Sequence, residues 1–331
     1  MTNRKKKVLI TGANGLLGSN LVRLLCNKYH VRLLVRPGSN LKTIKNLNCE
    51  FYYGDICVAE DVHDAVNDCN FVVHAASLTA QWGVAYSDYK RVNITSTKHI
   101  VEACLIHKVE KLIYISTANT IGHGSINKPG NELSSFSLFH INSGYINTKY
   151  IAQQYVQEQI ERNNLPAVIL NPTFMIGAYD AKPSSGQIIL YGMNKKILFY
   201  PPGGKNFVHV NDVCIGINNA IEQGEIGEMY LLAGQNISYY DFFKMLNKIS
   251  GQNPKMIRIP PSLLKIAGNT SSKFGKITGS SPKLNYVSAY MLCLGNYYSG
   301  QKSERELGIK YTAIEDAIKS AYDWFKKNNY M

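Results

Sequence analysis

Three glycines and a tyrosine–lysine pair are the residues of this chain best suited to chemistry. The stretch Val8-Leu9-Ile10-Thr11-Gly12-Ala13-Asn14-Gly15-Leu16-Leu17-Gly18 ends a short apolar run with glycines three apart and opens an apolar helical pattern. A strand, a tight turn and a helix N-terminus in that order make a cradle for a dinucleotide pyrophosphate. Gly12 lets the chain turn. Gly15 lets backbone N–H groups approach phosphate with no Cβ between them, and Gly18 lets helix and strand pack closely. The spacing TGxxGxxG is one residue wider than the GxGxxG pattern.

Tyr145 and Lys149 form YxxxK, which puts both side chains on one helix face. A phenol with a pKa of about 10 is a poor proton donor or acceptor at neutral pH. A neighbouring ammonium stabilises the phenolate and draws that value towards the working range. Six such pairs occur, starting at Tyr86, Tyr145, Tyr191, Tyr240, Tyr298 and Tyr322, so spacing alone does not choose. Position does. Tyr145 opens a helix that precedes an apolar strand, and it follows Thr117 at the end of another. Thr117 can donate a hydrogen bond to a substrate oxygen, with Ser116 as the fallback and a buried strand-end hydroxyl as the plain alternative.

The elements that must hold these groups are legible as a rhythm. Residues 7–11, 31–35, 50–53, 71–74, 111–116 and 167–170 read as strands. Residues 16–27, 88–107 and 143–163 read as helices. Continuous Val/Ile/Leu strands separated by helices predict a parallel, doubly wound α/β sheet. After Pro172 the pattern changes. Strands are expected at 207–210 and 230–233, and helices at 212–221, 238–249 and 313–328. Residues 260–299 resist assignment. The expected division is a dinucleotide-binding domain over 1–172, with later contributions from about 205–235, and a smaller irregular α/β lobe over 173–331. Ligands of such folds sit at the carboxyl edge of the sheet.

Composition narrows the function classes. The chain has 331 residues, 45% hydrophobic, and a formal charge of +13. The positive residues read as dispersed apart from the basic start Thr2-Asn3-Arg4-Lys5-Lys6-Lys7, and no zinc-finger or RNP-type motif accompanies them. No nucleic-acid partner is expected, and attraction of an anionic cofactor is the simpler use of the charge. No apolar run reaches the roughly 18 residues of a span, and no secretory signal is read, so no membrane partner is expected. Seven scattered cysteines show no metal-like spacing, so no metal site is expected. Cys26, Cys104, Cys214 and Cys293 read as small core residues, consistent with a reducing cytoplasm.

The second strand ends in Val35-Arg36-Pro37-Gly38-Ser39, where an NAD site commonly has a carboxylate. Arg36 offers a planar cation to a 2′-phosphate, which favours NADP(H) and leaves NAD(H) open. The alternative is an arginine that caps the strand in solvent. Asp55, before Ile56, has two readings: an acceptor for the adenine amino group, or a carboxylate at a helix N-terminus.

Together these segments resemble the extended short-chain dehydrogenase/reductase family within the NAD-dependent epimerase/dehydratase superfamily. The resemblance runs through the glycine stretch, Gly54-Asp55-Ile56, His74-Ala75-Ala76, Arg91-Val92-Asn93-Ile94-Thr95-Ser96-Thr97, Tyr114-Ile115-Ser116-Thr117, Tyr145-Ile146-Asn147-Thr148-Lys149 and Asn171-Pro172-Thr173. Val35 to Ser39, Phe174-Met175-Ile176-Gly177 and Lys182-Pro183-Ser184-Ser185-Gly186 are most similar to the dihydroflavonol-4-reductase-like branch. The resemblance implies a Rossmann-type fold and a catalytic set of Thr117, Tyr145 and Lys149. It implies cofactor contacts from Gly12, Asn14, Gly15, Leu16, Leu17, Gly18, Arg36, Asp55, Ile56, Ala75, Ala76, Asn93, Ser116, Pro172 and Thr173, besides Tyr145 and Lys149. Asn93 would brace the site, and His74 would be a packing residue at a strand end. A homodimer through helices 88–107 and 143–163 is also implied.

The expected activity is NADPH-dependent reduction of a ketone or aldehyde, reversible as alcohol oxidation. Hydride would come from nicotinamide C4 and the proton from Tyr145. Two neighbours remain: a nucleotide-sugar epimerase with tightly bound NAD, and a 3β-hydroxysteroid-dehydrogenase-like enzyme. Thr117 is followed by Ala118-Asn119, not the Asp-Glu of dehydratases, and Lys205-Asn206 stands where sugar-nucleotide enzymes usually place an arginine. A non-catalytic cofactor-binding scaffold need not retain Thr117, Tyr145 and Lys149 together. Tyr179, Phe174, Tyr191, Met193 and the 286–298 region are candidates to line a pocket for a bulky, partly apolar carbonyl compound.

Overall fold

The computed structural model describes residues 5–80, 83–278, 282 and 284–331. Thr2, Asn3 and Arg4 of the basic start, and positions 279–281 and 283 of the stretch the sequence left unassigned, lie outside them.

The first half alternates β1 (Lys7–Thr11), α1 (Leu16–Leu25), β2 (His30–Val35), β3 (Glu50–Tyr53), α2 (Ala59–Val66), β4 (Phe71–His74), α3 (Tyr86–Tyr89), α4 (Ser96–Ile106), β5 (Lys111–Ile115), α5 (Gly144–Asn163) and β6 (Ala167–Pro172). The second half adds β7 (Phe174–Ile176), α6 (Gln187–Gly192), β8 (Ile197–Tyr200), β9 (Gly204–His209), α7 (Val210–Gln223), β10 (Met229–Leu232), β11 (Gln235–Ser238), α8 (Tyr239–Ser250), β12 (Lys255–Arg258), α9 (Pro261–Thr278), α10 (Tyr286–Cys293), β13 (Gly295–Asn296), α11 (Gln301–Leu307) and α12 (Ile314–Lys327).

Seven parallel strands form the main sheet in the order β10-β6-β5-β4-β1-β2-β3. The chain leaves β1 towards β2 on one side and returns to β4 on the other, so the order reverses at β1. That reversal opens a crevice at the carboxyl ends of β1 and β4, where the glycine turn lies. The continuous apolar strands are explained by burial on both faces. Val8 and Ile10 join a core with Leu17 and Leu21 of α1 and Val213 and Ile217 of α7. Leu9 faces the other way, into a core with Ile100 of α4 and Ala152 of α5. This is the Rossmann-type doubly wound sheet expected from the sequence.

The smaller lobe has its own core, in which Ile176, Phe207, Phe242, Phe243, Ile318 and Phe325 are fully buried. β9 anchors it, pairing with β7 and β13 in parallel and β11 antiparallel, while β8 and β12 form a separate parallel pair. Although they come late in the chain, α7 and β10 belong to the main sheet and its core.

Three local readings change. The helical stretch expected over 88–107 is present but not uniformly α: α3 passes without a break through a π-helical turn, Lys90–Thr95, into α4. The periodicity could not reveal this, because the extra residue is placed by Asn93, whose bonds are to distant segments. The 260–299 stretch holds two helices, α9 and α10, whose sequences mix Ser and Gly with apolar residues because only one face of α9 is covered. Of the four cysteines read as core, Cys104 and Cys214 are buried, but Cys26 and Cys293 are only partly so.

Candidate active site

The glycine turn is built as its spacing demands. Gly12 has φ +74°, and a Cβ there would stand 2.7 Å from the Ala76 nitrogen. A Cβ on Gly18 would collide with the Gly12 carbonyl and stand 2.6 Å from the Ala13 Cα. Gly15 is different: it is exposed, and its nearest neighbour to a built Cβ is the Gly12 carbonyl at 3.5 Å. It is the N-cap of α1, with no side chain capping the helix and no carboxylate in the first turn. The free N–H groups of Leu16 and Leu17, with the dipole behind them, thus suit a diphosphate. Ala75 and Ala76 follow β4 and press against Gly12, which keeps the crevice floor low.

Around the crevice, Asn14 donates its side-chain amide to the Asn40 carbonyl (3.4 Å), tying the glycine turn to the loop after β2. Arg36 opens that loop and is exposed. Asp55 accepts from the Cys57 N–H (2.9 Å), and its own N–H donates to Asp61 Oδ2 (2.7 Å). The first-turn carboxylates of α2 are Glu60 and Asp61, so Asp55 shapes the turn before the helix. Ile56 packs partly against the α2–α4 core.

His74 is buried between two threonines. Thr11 Oγ1 lies 2.8 Å from its Nδ1 and Thr97 Oγ1 3.3 Å from its Nε2. The Ala76 N–H donates to Thr11 Oγ1 (3.1 Å), and Thr97 donates to the Asn93 carbonyl (2.8 Å). These directions are consistent with a neutral imidazole carrying its proton on Nε2. Burial, assisted by the Lys149 charge, pulls the imidazole down to about 3.

Thr117, Tyr145 and Lys149 come from three places in the fold: the end of β5, the first turn of α5 and its second turn. Ser143 caps α5, accepting from the Ile146 N–H (3.3 Å). Gly144 admits Tyr89 so closely that a Cβ would meet its ring at 2.7 Å. Burial distinguishes the six YxxxK pairs. Lys149 is buried, whereas Lys90, Lys195, Lys244 and Lys326 are exposed and Lys302 is half-buried in an ion pair with Glu228. The Lys149 ammonium donates to the Ile115 carbonyl (2.8 Å) and the Tyr114 hydroxyl (3.1 Å), and burial lowers it to about 7. Tyr145 is half-buried, and desolvation raises its phenol while a hydrogen bond with Thr117 opposes the rise. That direction is opposite to the one expected from a nearby lysine, because Lys149 aims at Tyr114 and Ile115 and is itself discharged near neutrality.

Sequence reasoning missed the groups that hold Thr117. Asn171 Nδ2 donates to the Thr117 carbonyl (3.0 Å), Thr120 Oγ1 (3.0 Å) and Gln153 Oε1 (2.8 Å). Thr120 Oγ1 in turn donates to the Thr117 carbonyl (2.7 Å). Ser116 is buried, 3.5 Å from Thr120 through its hydroxyl. No local pattern links residues 117, 120, 153 and 171; they meet because α5 and β6 both pack behind the end of β5. Asn93 accepts from the Ser77 hydroxyl (3.0 Å) and the Leu78 N–H (2.8 Å), and donates to Thr148 of α5 (3.0 Å). Pro172 ends β6, and the Thr173 hydroxyl donates to Asn206 Oδ1 (2.7 Å).

Of the proposed pocket residues, Val287, Tyr290, Met291 and Leu294 of the 286–298 region pack in one apolar cluster with Tyr145, while the other four border the core of the smaller lobe. Tyr179 packs against the Arg23 guanidinium (3.7 Å to the ring centroid) and Trp324. Tyr191 leans on Phe243, and Met193 packs against the lobe core. Phe174 stays beside β9, edge-on to Phe207, with the Lys205 ammonium 5.0 Å above its ring.

Comparison with known proteins agrees with this geometry. The family model described as "NAD dependent epimerase/dehydratase family" matches residues 8–233. A putative dihydroflavonol 4-reductase of Synechocystis sp. is 28% identical over 328 residues, covering 97% of this chain and 95% of that protein. Sterol demethylase protein B of Methylococcus capsulatus is 28% identical over 325 residues, covering 96% and 98%. The crystal structure of gox2253 superposes with a TM-score of 0.87 at 32% identity, covering 98% of this chain and 99% of that one. The chain belongs to the NAD-dependent epimerase/dehydratase family, as an NAD(P)-dependent enzyme of the extended short-chain dehydrogenase/reductase type.

Proposed function

We propose that this chain is an NADPH-dependent reductase of a bulky, partly apolar ketone or aldehyde, reversible as an alcohol dehydrogenase. The observation that carries the reading is the seating of one YxxxK pair, with Lys149 buried and Tyr145 hydrogen-bonded to Thr117. The free α1 N-terminus and exposed Gly15 fit the pyrophosphate, and exposed Arg36 fits a 2′-phosphate. Bound NADPH supplies the hydride. Tyr145 gives its proton to the substrate oxygen, and Thr117 donates a second hydrogen bond to that oxygen. A phenol held above its ordinary pKa is protonated at neutral pH, as a donor must be. Lys149 stands ready to hold the nicotinamide ribose and to favour the phenolate that remains.

Dehydration is disfavoured by Ala118-Asn119 after Thr117. The names of the two similar proteins, a putative dihydroflavonol reductase and a sterol demethylase component, support a large apolar substrate. A homodimer through α4 and α5 is part of this reading, and so is a reducing, cytoplasmic setting, supported by seven unpaired thiols. A nucleotide-sugar epimerase is the second reading. In it Lys205, a cation on β9 with no ion pair among the described residues, would grip a diphosphate as a point charge in place of the usual arginine fork.

The test is cofactor exchange on purified protein with NADPH and NADH compared, followed by carbonyl-dependent oxidation. Freely exchanging cofactor, NADPH preferred, and turnover lost in Tyr145→Phe support the reductase. Tightly retained NAD that does not exchange would move the assignment to the epimerase. Biological activity intact in Tyr145→Phe would leave only a scaffold.

A further inference from the structure

The carboxylates of this chain are not spread evenly. Residues 181–211 contain four lysines and no carboxylate, and residues 242–303 contain eight lysines, Arg258 and no carboxylate. These thirteen cations equal the whole formal excess of +13, so the remaining positions balance at 23 of each sign. These two stretches thus concentrate cations with no carboxylate among them, although the net charge itself divides almost evenly, +6 over residues 1–172 and +7 over 173–331. Among the described residues of these stretches, only Lys248 and Lys302 form ion pairs.

The same two stretches carry large apolar side chains in solvent. In α9, Leu263, Ile266, Thr270 and Phe274 share one helix face, and the three apolar ones are 57%, 59% and 65% exposed. Leu264, Gly268 and Gly275 lie on the opposite, buried face, where Gly268 meets Ala289 of α10. Lys265 and Lys273 flank the stripe and are exposed. Through Ile259 and Pro260, α9 continues from β12, which pairs with β8. On that pair Leu198 and Met256 face the lobe core, so Ile197 and Phe199 point outward, each 48% exposed, with Lys255 and Ile257 opposite them. Exposed Lys195, Lys196 and Arg258 border this second patch.

We propose that the outer face of the smaller lobe, α9 together with the β8–β12 pair, docks on an anionic lipid surface. Apolar residues flanked by unpaired cations, with no carboxylate in either stretch, have the composition of a helix lying in a bilayer interface. The expectation of no membrane partner rested on the lack of a span. No helix of the described residues is long and apolar enough to cross a membrane, and a peripheral dock needs none. The proposal is independent of the substrate assignment.

The test is sedimentation of the whole 331-residue chain with vesicles of three parts phosphatidylcholine to one part phosphatidylglycerol, against phosphatidylcholine alone. Binding to the anionic vesicles, weakened at least severalfold by high salt, is expected. Ile266→Ser with Phe274→Ser should cut it about tenfold or more, and Lys265→Gln with Lys273→Gln should do likewise. Both pairs are exposed, so melting temperature and cofactor binding should not change. Phe274→Trp supplies a second reading, a blue-shifted emission on adding anionic vesicles. The proposal is overturned by no sedimentation, with or without binding of duplex DNA instead, or by sedimentation that the serine variant leaves intact. Self-association abolished by the serine variant without vesicle binding would make the occupant a second copy of the chain, and equally overturns it.

Discussion

Tyr145 and Lys149 differ from the pair imagined from spacing alone, and the difference is measurable. Tyr145→Phe removes the only hydroxyl proposed to pass a proton, so kcat should fall by about 10²- to 10⁴-fold with NADPH affinity little changed. Steady-state turnover and cofactor titration check this together. Lys149 has a pKa of about 7 in the fold against an unfolded value of about 10.4. Between these values the unfolded chain binds the extra proton, so this residue makes stability rise with pH. Lys149→Met should remove a slope of up to about 1.4 kcal/mol per pH unit from cofactor-free protein between pH 7 and 9. Denaturant unfolding of both proteins across that range measures it; parallel curves would refute the buried, discharged lysine. His74 acts in the other window. Its folded value of about 3 lies below the unfolded value of about 6.5, so its contribution is complete above pH 6.5 and is lost as pH falls towards 3.

Among the elements, β5, β6 and α5 are held in register at the site by side chains far apart in sequence. Asn171 is fully buried, and the two N–H groups of its Nδ2 are shared among the Thr117 carbonyl, Thr120 Oγ1 and Gln153 Oε1. Asn171→Ala leaves their buried polar atoms short of a donor, which should cost about 1–3 kcal/mol, read as a lower urea midpoint. If Asn171 positions Thr117, kcat should also fall while NADPH affinity holds, a split that a purely structural loss would not produce. The π-helical turn belongs to the same scale. It presents Asn93 to Ser77, Leu78 and Thr148, so the loop after β4 and the first turns of α5 are locked to one another.

Across the whole molecule, the cofactor crevice and the charged smaller lobe have separate electrostatic tasks. Arg36 is exposed at the end of β2, so NADPH selection should be local. A saturating cofactor stabilises by about 2.7 kcal/mol at a hundred times its Kd. NADPH should therefore raise Tm more than NADH at equal concentration. Arg36→Ala should weaken NADPH binding by roughly tenfold or more, and leave NADH binding nearly unchanged. Equal shifts by both cofactors in the wild type would assign Arg36 to solvent instead.

The main sheet was legible in the sequence because its strands are buried on both faces and so are written as uninterrupted apolar runs. The glycine turn was legible because positive φ and close backbone approach restrict Gly12 and Gly18 to one residue type. Tyr145 was distinguishable by its place between strands, not by its motif. Only the tertiary structure decided which lysine of six is buried, what its ammonium faces, and that Asn171, Gln153 and Thr120 meet behind Thr117. Hydrogen bonds between residues 18 to 54 positions apart leave no periodic trace. The α9 helix was illegible for a related reason: among the described residues its covered face is Leu264, Gly268 and Gly275, and its apolar stripe lies in solvent. The carboxylate-free stretches stand in the sequence, but only the fold brings the exposed cations and apolar side chains of α9 and the β8–β12 pair onto one lobe.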